Sequence, residues 1–115
     1  MLLICYKKCT TCKGVEKLLK EKNIKYDYRE IDKENPTAKE LKEWHEKSGL
    51  DIKKFFNTSG LIYRENNLKD KLPNMTLEEK YELLSTAGML VKRPILIKDD
   101  EVLVGPQVKK YLEGQ

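Results

Sequence analysis

Two cysteines three positions apart, in Cys9-Thr10-Thr11-Cys12, are the residues of this 115-residue chain best suited to chemistry. At a helix start that spacing brings two sulfurs within bonding range, so the pair can pass between dithiol and disulfide. The apolar run Leu2 to Tyr6 precedes the pair and a helical pattern follows it, which puts Cys9 where a strand gives way to a helix. A thiol there meets unsatisfied backbone N–H groups and the positive end of the helix dipole, and both favour the thiolate. Cys9 is the more exposed of the two and the expected nucleophile. Cys12, one turn into the helix, is the expected resolving thiol, attacking a mixed disulfide or sulfenic acid on Cys9. The oxidised form expected from this spacing is a Cys9–Cys12 disulfide. Lys7, Lys8 and Lys13 add positive charge nearby; Lys13 reads equally as a thiolate partner or a solvated charge. The third cysteine, Cys5, lies mid-strand and reads as a small buried hydrophobe.

The rest of the chain must position these thiols. Apolar residues are 39% and charged residues 37% of it, a polar but foldable composition, and its net charge of +4 is too small and dispersed to argue for nucleic acid or lipid. No apolar run approaches the roughly 20 residues of a membrane span, and the N-terminal stretch lacks the basic start and cleavage site of a signal peptide. An odd number of cysteines excludes a disulfide framework, and a single His without a second cysteine pair leaves too few ligands for a zinc site. The expected compartment is the cytoplasm, where a close cysteine pair is redox-active more often than structural.

Val15, Leu18 and Leu19 give the first helix an apolar face that ends near Asn23, and Lys25 to Ile31 alternates as a second strand. Strand, helix and strand within about 30 residues is the length of a βαβ unit. Thr37 with Glu40, and Thr76 with Glu79, form capping-box patterns that open helices through Lys47 and about Ser85. The second carries Leu77, Tyr81 and Leu84 on one face. Asp51 caps a short helix with Ile52, Phe55 and Phe56, and Asn57 to Gly60 is a loop. Pro94 to Lys98 and Glu101 to Val104 form a hairpin across Asp99-Asp100, and Gly105-Pro106 opens a final helix with Val108, Tyr111 and Leu112 on its apolar face. This order predicts an α/β fold, a thioredoxin/glutaredoxin-like mixed four-stranded sheet forming a single domain over residues 1–115, with a helical insertion at about 33–90.

In a sheet of that kind, Pro94 is placed to hold a cis bond facing the cysteines and Arg93 to reach Cys9, stabilising the thiolate or binding an oxyanion. The plainer alternative is a strand-opening proline with a solvated arginine. His45 reads as a solvated surface residue, and Trp44, Phe55 and Phe56 as core.

Four motifs in order over nearly the whole chain carry a resemblance: Cys9-Thr10-Thr11-Cys12-Lys13, Lys54-Phe55-Phe56-Asn57-Thr58-Ser59-Gly60, Lys92-Arg93-Pro94-Ile95 and Val102-Leu103-Val104-Gly105. The sequence resembles the arsenate reductase-like (ArsC) family, in its Spx/MgsR-like branch. The resemblance implies a thioredoxin-like sheet with an inserted helical subdomain, a nucleophile at Cys9, a functional arginine at Arg93, and Lys13, Asn57 and Pro94 at the substrate. It also implies that Asn57 and Gly105 stand where glutaredoxin-linked arsenate reductases carry two further oxyanion-holding arginines, so an arsenate dianion would lose two bidentate partners. Cys12 is typical of the Spx-like branch, whose pair is a redox switch and whose members bind RNA polymerase through the C-terminal domain of its α-subunit.

The expected function is a thiol–disulfide redox protein acting on protein thiols or disulfides, with Cys9, Cys12 and Arg93 at its centre. No cofactor, metal, nucleic acid or membrane is expected, and glutathione or thioredoxin is the candidate reductant. The alternative is a redox-sensing regulator that binds RNA polymerase, and the third reading is an arsenate reductase.

Overall fold

β1 (Leu2–Cys5) is the strand from which both layers of the fold follow. Side chains alternate along a strand, so Leu3 and Cys5 enter one apolar layer and Ile4 the other. The computed structural model describes residues 1–115. Its four-stranded sheet has the order β2-β1-β3-β4. β2 (Asp27–Glu30) runs parallel to β1, with Leu3 opposite Tyr28. β3 (Ile95–Lys98) is antiparallel to β1, and β4 (Glu101–Val104) antiparallel to β3, closing a hairpin on Asp99, whose φ is +51°.

One face of the sheet is covered by α1 (Thr10–Glu21) and α6 (Pro106–Glu113). Cys12, Val15 and Leu19 recur at helical spacing on the inner face of α1 and meet Val108 and Leu112 of α6 over Leu3, Cys5 and Leu96. The other face carries the helices between β2 and β3: α2 (Ala38–Ser48), α3 (Leu61–Glu65), α4 (Leu68–Lys71) and α5 (Leu77–Ser85), with single 3-10 turns at Ile52–Phe55, Leu72–Asn74 and Gly88–Leu90. Leu41, Trp44, Phe55, Tyr81 and Leu84 bury themselves there with Ile4, Ile31, Ile95 and Val104. Each such side chain contributes about 1.5–3 kcal/mol of apolar burial. The mixed sheet and inserted helices are those expected from the sequence.

Both capping boxes form. Glu40 N–H donates to Thr37 Oγ1 at 3.1 Å and Thr37 N–H to Glu40 Oε1 at 3.0 Å; Thr76 and Glu79 repeat the exchange at 3.1 and 2.8 Å. Leu77 keeps the face expected of it but stays exposed at the helix start, and the expectation for His45 fails. Leu77 is 42% exposed, because it is the first residue of α5 and precedes the turn that carries Tyr81 and Leu84 inward. His45 is half-buried, with Nδ1 at 2.6 Å from Tyr81 Oη and its ring edge-on to Phe55. Packing of α2 on α5 takes it from the solvent.

A backbone clip then ties the insertion to the sheet. Phe56 bridges to Val91, Asn57 N–H donates to the Leu90 carbonyl at 2.7 Å, and Lys92 N–H donates to the Phe55 carbonyl at 2.8 Å. The clip brings the loop after Phe56 beside the entry to β3.

Candidate functional site

Cys9 is the residue that caps α1. Its backbone is extended (φ −80°, ψ 123°), its N–H donates to the Tyr6 carbonyl at 2.9 Å, and its carbonyl accepts from Lys13 N–H at 3.0 Å. Its side chain makes no capping hydrogen bond, and the first turn of α1 holds no acidic residue. The thiol is free and half-buried. It therefore faces the helix N-terminus without a competing anion.

Cys9 opens onto a cavity of about 660 Å³ lined also by Thr11, Asn57, Ser59, Arg64, Lys92 and Arg93, together with Gly60, Leu61, Ile62 and Met89. Three cations and no carboxylate line it. Arg93 is half-buried, and its guanidinium lies 5.3 Å from the centre of the Tyr6 ring. Its Nη1 donates to the carbonyls of Met89 and Val91 at 3.3 and 3.4 Å, while its buried Nε has no partner. Asn57 Nδ2 donates to the same Met89 carbonyl at 3.4 Å, so the clip sets Asn57 and Arg93 side by side on the cavity wall. Arg93-Pro94 is a cis peptide bond, and Pro94 is buried at the start of β3, its carbonyl accepting from Gly105 N–H at 2.8 Å.

The structure thus brings Cys9, Asn57 and Arg93 together on one cavity. Lys13 is exposed and does not line it. Gly105 lies on a separate cavity with Val104 and Gln107, joined to the first only through Lys92. The expected Cys9–Cys12 disulfide is not the pairing found: Cys12 is paired with Cys5, their Cα atoms 5.9 Å apart. The reason is the face each residue occupies. Cys12 is on the inner face of α1, 1% exposed, and Cys5 points into the same layer, fully buried. Cys9 precedes the helix and opens to the cavity. Strand alternation placing Cys5 with Leu3, and helical spacing placing Cys12 with Val15 and Leu19, were the sequence signals for this contact. Arg64 carried no sequence signal, and Lys92 stood in the Lys92-Arg93-Pro94-Ile95 motif without an assigned role, because only tertiary packing brings α3 and the clip to Cys9. No group of three or more His, Cys, Asp or Glu side chains is placed to hold a metal ion, and no helix is long and apolar enough to cross a membrane.

A sheet of this order, with a thiol at the start of its first helix and a helical block between β2 and β3, defines an α/β protein of the thioredoxin-like kind. The ArsC family model matches residues 5–113, and the chain belongs to the ArsC family. It is 49% identical to protein YusI of Bacillus subtilis, over 95% of this chain and 92% of YusI. The regulatory protein MgsR of Bacillus subtilis is 30% identical, over 87% of this chain and 78% of MgsR. The crystal structure of an ArsC family related protein from Bacteroides fragilis superposes with a TM-score of 0.89 at 49% identity, covering 96% of this chain and 95% of that one. The family is one of thiol redox chemistry.

Proposed function

We propose that the chain is a cytoplasmic thiol–disulfide redox protein in which Cys9 is the nucleophile and Cys12 the resolving thiol. The observation that carries this reading is the free Cys9 thiol at the N-terminus of α1, on a cavity with three cations and no carboxylate. Cys9 thiolate attacks a disulfide R–S–S–R′, forming Cys9–S–S–R and releasing R′S⁻. Cys12 thiolate then attacks Cys9 Sγ, forming Cys9–S–S–Cys12 and releasing RS⁻. Two electrons have passed from the protein to the substrate, and the protons of the two thiols end on the leaving groups. Arg93 is the positioning cation: its guanidinium, which pairs with no carboxylate, stabilises the attacking and departing thiolates.

The cavity also suits a protein substrate. Leu61, 64% exposed, and Met89 supply an apolar rim, while Arg64, Lys92 and Arg93 favour acidic groups flanking the attacked sulfur. Glutathione or thioredoxin would return the protein to its dithiol form, with no bound cofactor. Identity to the regulatory protein MgsR favours a second reading, in which the same thiols switch a regulator that binds RNA polymerase at the C-terminal domain of its α-subunit.

Cys12→Ser in cells separates the two. Removing the resolving thiol should accumulate mixed disulfides on Cys9 with protein substrates, released by reductant and absent from the Cys9→Ser control. Redox-dependent capture of that polymerase domain, without Cys9 adducts to other proteins, would support the regulator instead. A Cys9 that forms no adduct and no disulfide would overturn both.

A further inference from the structure

We propose that Cys5 is a third redox-active thiol, and that the buried Cys5–Cys12 pair stores the oxidising equivalents that enter the protein through Cys9. The proposal rests on the thiol–disulfide reading above and assigns that site an internal acceptor.

Cys5 and Cys12 have Cα atoms 5.9 Å apart, inside the range a disulfide spans. Their exposures are 0% and 1%, and their neighbours are Leu3, Val15, Leu19, Leu96, Val108 and Leu112. Burial in such a layer keeps external oxidants and reductants away from both sulfurs. Cys9 packs at the edge of the same layer and opens to the cavity, so of the three cysteines it is the one that joins the solvent to the layer holding the buried pair. A bridge confined to the interior fits a store reached through a gate.

The steps balance as three exchanges. Cys9 thiolate attacks an external disulfide R–S–S–R′, forming Cys9–S–S–R and releasing R′S⁻. Cys12 thiolate attacks Cys9 Sγ, forming Cys9–S–S–Cys12 and releasing RS⁻. Cys5 thiolate, already beside Cys12, attacks Cys12 Sγ, forming Cys5–S–S–Cys12 and returning Cys9 as thiolate. Cys5 and Cys12 have each lost one electron and one proton, the external disulfide is reduced to two thiols, and Cys9 is unchanged. In reverse, Cys9 opens the store and delivers the bridge to a reductant.

The sequence makes the steps separable. Lys7 and Lys8 lie between Cys5 and Cys9, and Lys13 follows Cys12, so trypsin leaves Cys9 and Cys12 on one peptide and Cys5 on another. Reduced protein is mixed with oxidised glutathione, quenched by alkylation at intervals and mapped without reduction. Wild type should show glutathione on Cys9, then a closed Cys9–Cys12 peptide, then a Cys5–Cys12 cross-link with Cys9 alkylated. Cys5→Ala should stop at Cys9–Cys12. Cys9→Ser should slow the Cys5–Cys12 cross-link by about tenfold or more, since the buried thiols must then react unaided. Equal rates in Cys9→Ser and wild type would mark the bridge as structural and overturn the proposal. Wild type that ends at Cys9–Cys12 with Cys5 alkylated would overturn it too, while leaving the Cys9–Cys12 reading intact. A Cys9 that takes neither glutathione nor a disulfide would sink both.

Discussion

Two arginines of this protein each lie over an aromatic ring and donate to backbone carbonyls, and they differ in whether a carboxylate completes them. Arg29 on β2 sits 5.8 Å from the centre of the Trp44 ring. Its Nη1 and Nη2 donate to Glu40 at 2.7 and 3.0 Å, and its Nε and Nη2 donate to the carbonyls of Glu34 and Asn35. Arg93 has the Tyr6 ring, two long contacts to carbonyls, no carboxylate and a buried Nε without a partner. Buried polar groups are ordinarily satisfied, and a buried donor left open costs about 1–3 kcal/mol. The clasp around Arg29 fastens α2 to the sheet edge. At Arg93 the same side chain is left open toward the cavity of Cys9, where an anion would complete it. The contrast separates a cation used to build the fold from one held in reserve for a ligand or a thiolate.

Substituting each arginine by glutamine tests that division and carries the largest expected effects. Arg29→Gln should cost about 2 kcal/mol, lowering Tm by roughly 8 °C, because a fork–fork pair, two carbonyl contacts and a ring contact are lost together. Its reaction rate with an aromatic disulfide should match wild type. Arg93→Gln should behave oppositely: stability within about 1 kcal/mol of wild type, the ring contact being the main loss, and reaction of Cys9 slowed about tenfold, one neighbouring cation having gone. Denaturant midpoints and stopped-flow rates on the two variants decide it. A stability loss at Arg93 as large as that at Arg29 would make Arg93 a structural residue.

The Arg29 clasp and the Arg93 site were unequally legible in the sequence. The Thr37–Glu40 capping box was plain from its spacing, and with it the helix that presents Glu40 and Trp44. Nothing local marked Arg29 as their partner, since the pair joins a strand edge to a helix across a break at Asn35-Pro36. At the site, Cys9 and Arg93 were legible because each sits at a boundary between elements, a helix start and a proline-led strand. The contact of Cys12 with Cys5 went unread although both periodicities needed to find it were present. Spacing along the chain pointed only to Cys9, whereas the face occupied by each side chain sets Cys12 beside Cys5. The rest of the cavity wall depended on the Phe56–Val91 clip, a contact between segments far apart in the chain.

Arsenate offers a finer test of what the cavity of Cys9 holds. Asn57 shares the Met89 carbonyl with Arg93, so an arginine at 57 would stand beside Arg93 and form a second fork for an oxyanion. Wild type should turn over arsenate with glutaredoxin and glutathione far below about 1 per second, because neither Asn57 nor Gly105 offers a second guanidinium fork beside Arg93 to hold a dianion against a thiolate. Asn57→Arg should tighten arsenate binding several-fold and raise turnover weakly, read by titration and a coupled assay. Adding Gly105→Arg should not help. Gly105 has φ +62° and ψ −129°, a region open in practice only to glycine, and a Cβ there would lie 3.2 Å from Lys92 Cε. That change should instead cost about 1–3 kcal/mol. Wild-type turnover at ordinary enzymatic rates would make the cavity an arsenate site and reverse the reading of Asn57.

The smallest expected effect lies in the acid limb of stability, and it sharpens the contrast between the two arginines. Hydrogen bonding to Arg29 holds the Glu40 carboxyl below the ordinary carboxylate range; burial opposes that shift, and the Thr37 N–H adds to it. A carboxyl with a depressed folded-state pKa stabilises the native protein above its unfolded pKa, about 4.3, and loses that contribution as pH falls through the folded value. The clasp should therefore be intact from neutral pH down to about 5 and weaken below about 4. Glu79 is shifted the same way by Thr76, but it is shared by wild type and Arg29→Gln and cancels between them. The stability gap between those two proteins should narrow as pH drops from about 5 to about 3. The gap between wild type and Arg93→Gln should stay flat over that window, because no carboxylate faces Arg93 in the cavity. Urea midpoints at several pH values measure both gaps. An Arg29→Gln gap that does not change with pH would mean that the pair with Glu40 contributes little and that the ring and carbonyl contacts hold the clasp. A pH-dependent Arg93→Gln gap would mean that a carboxylate reaches Arg93 after all, and the contrast between the two cations would fail.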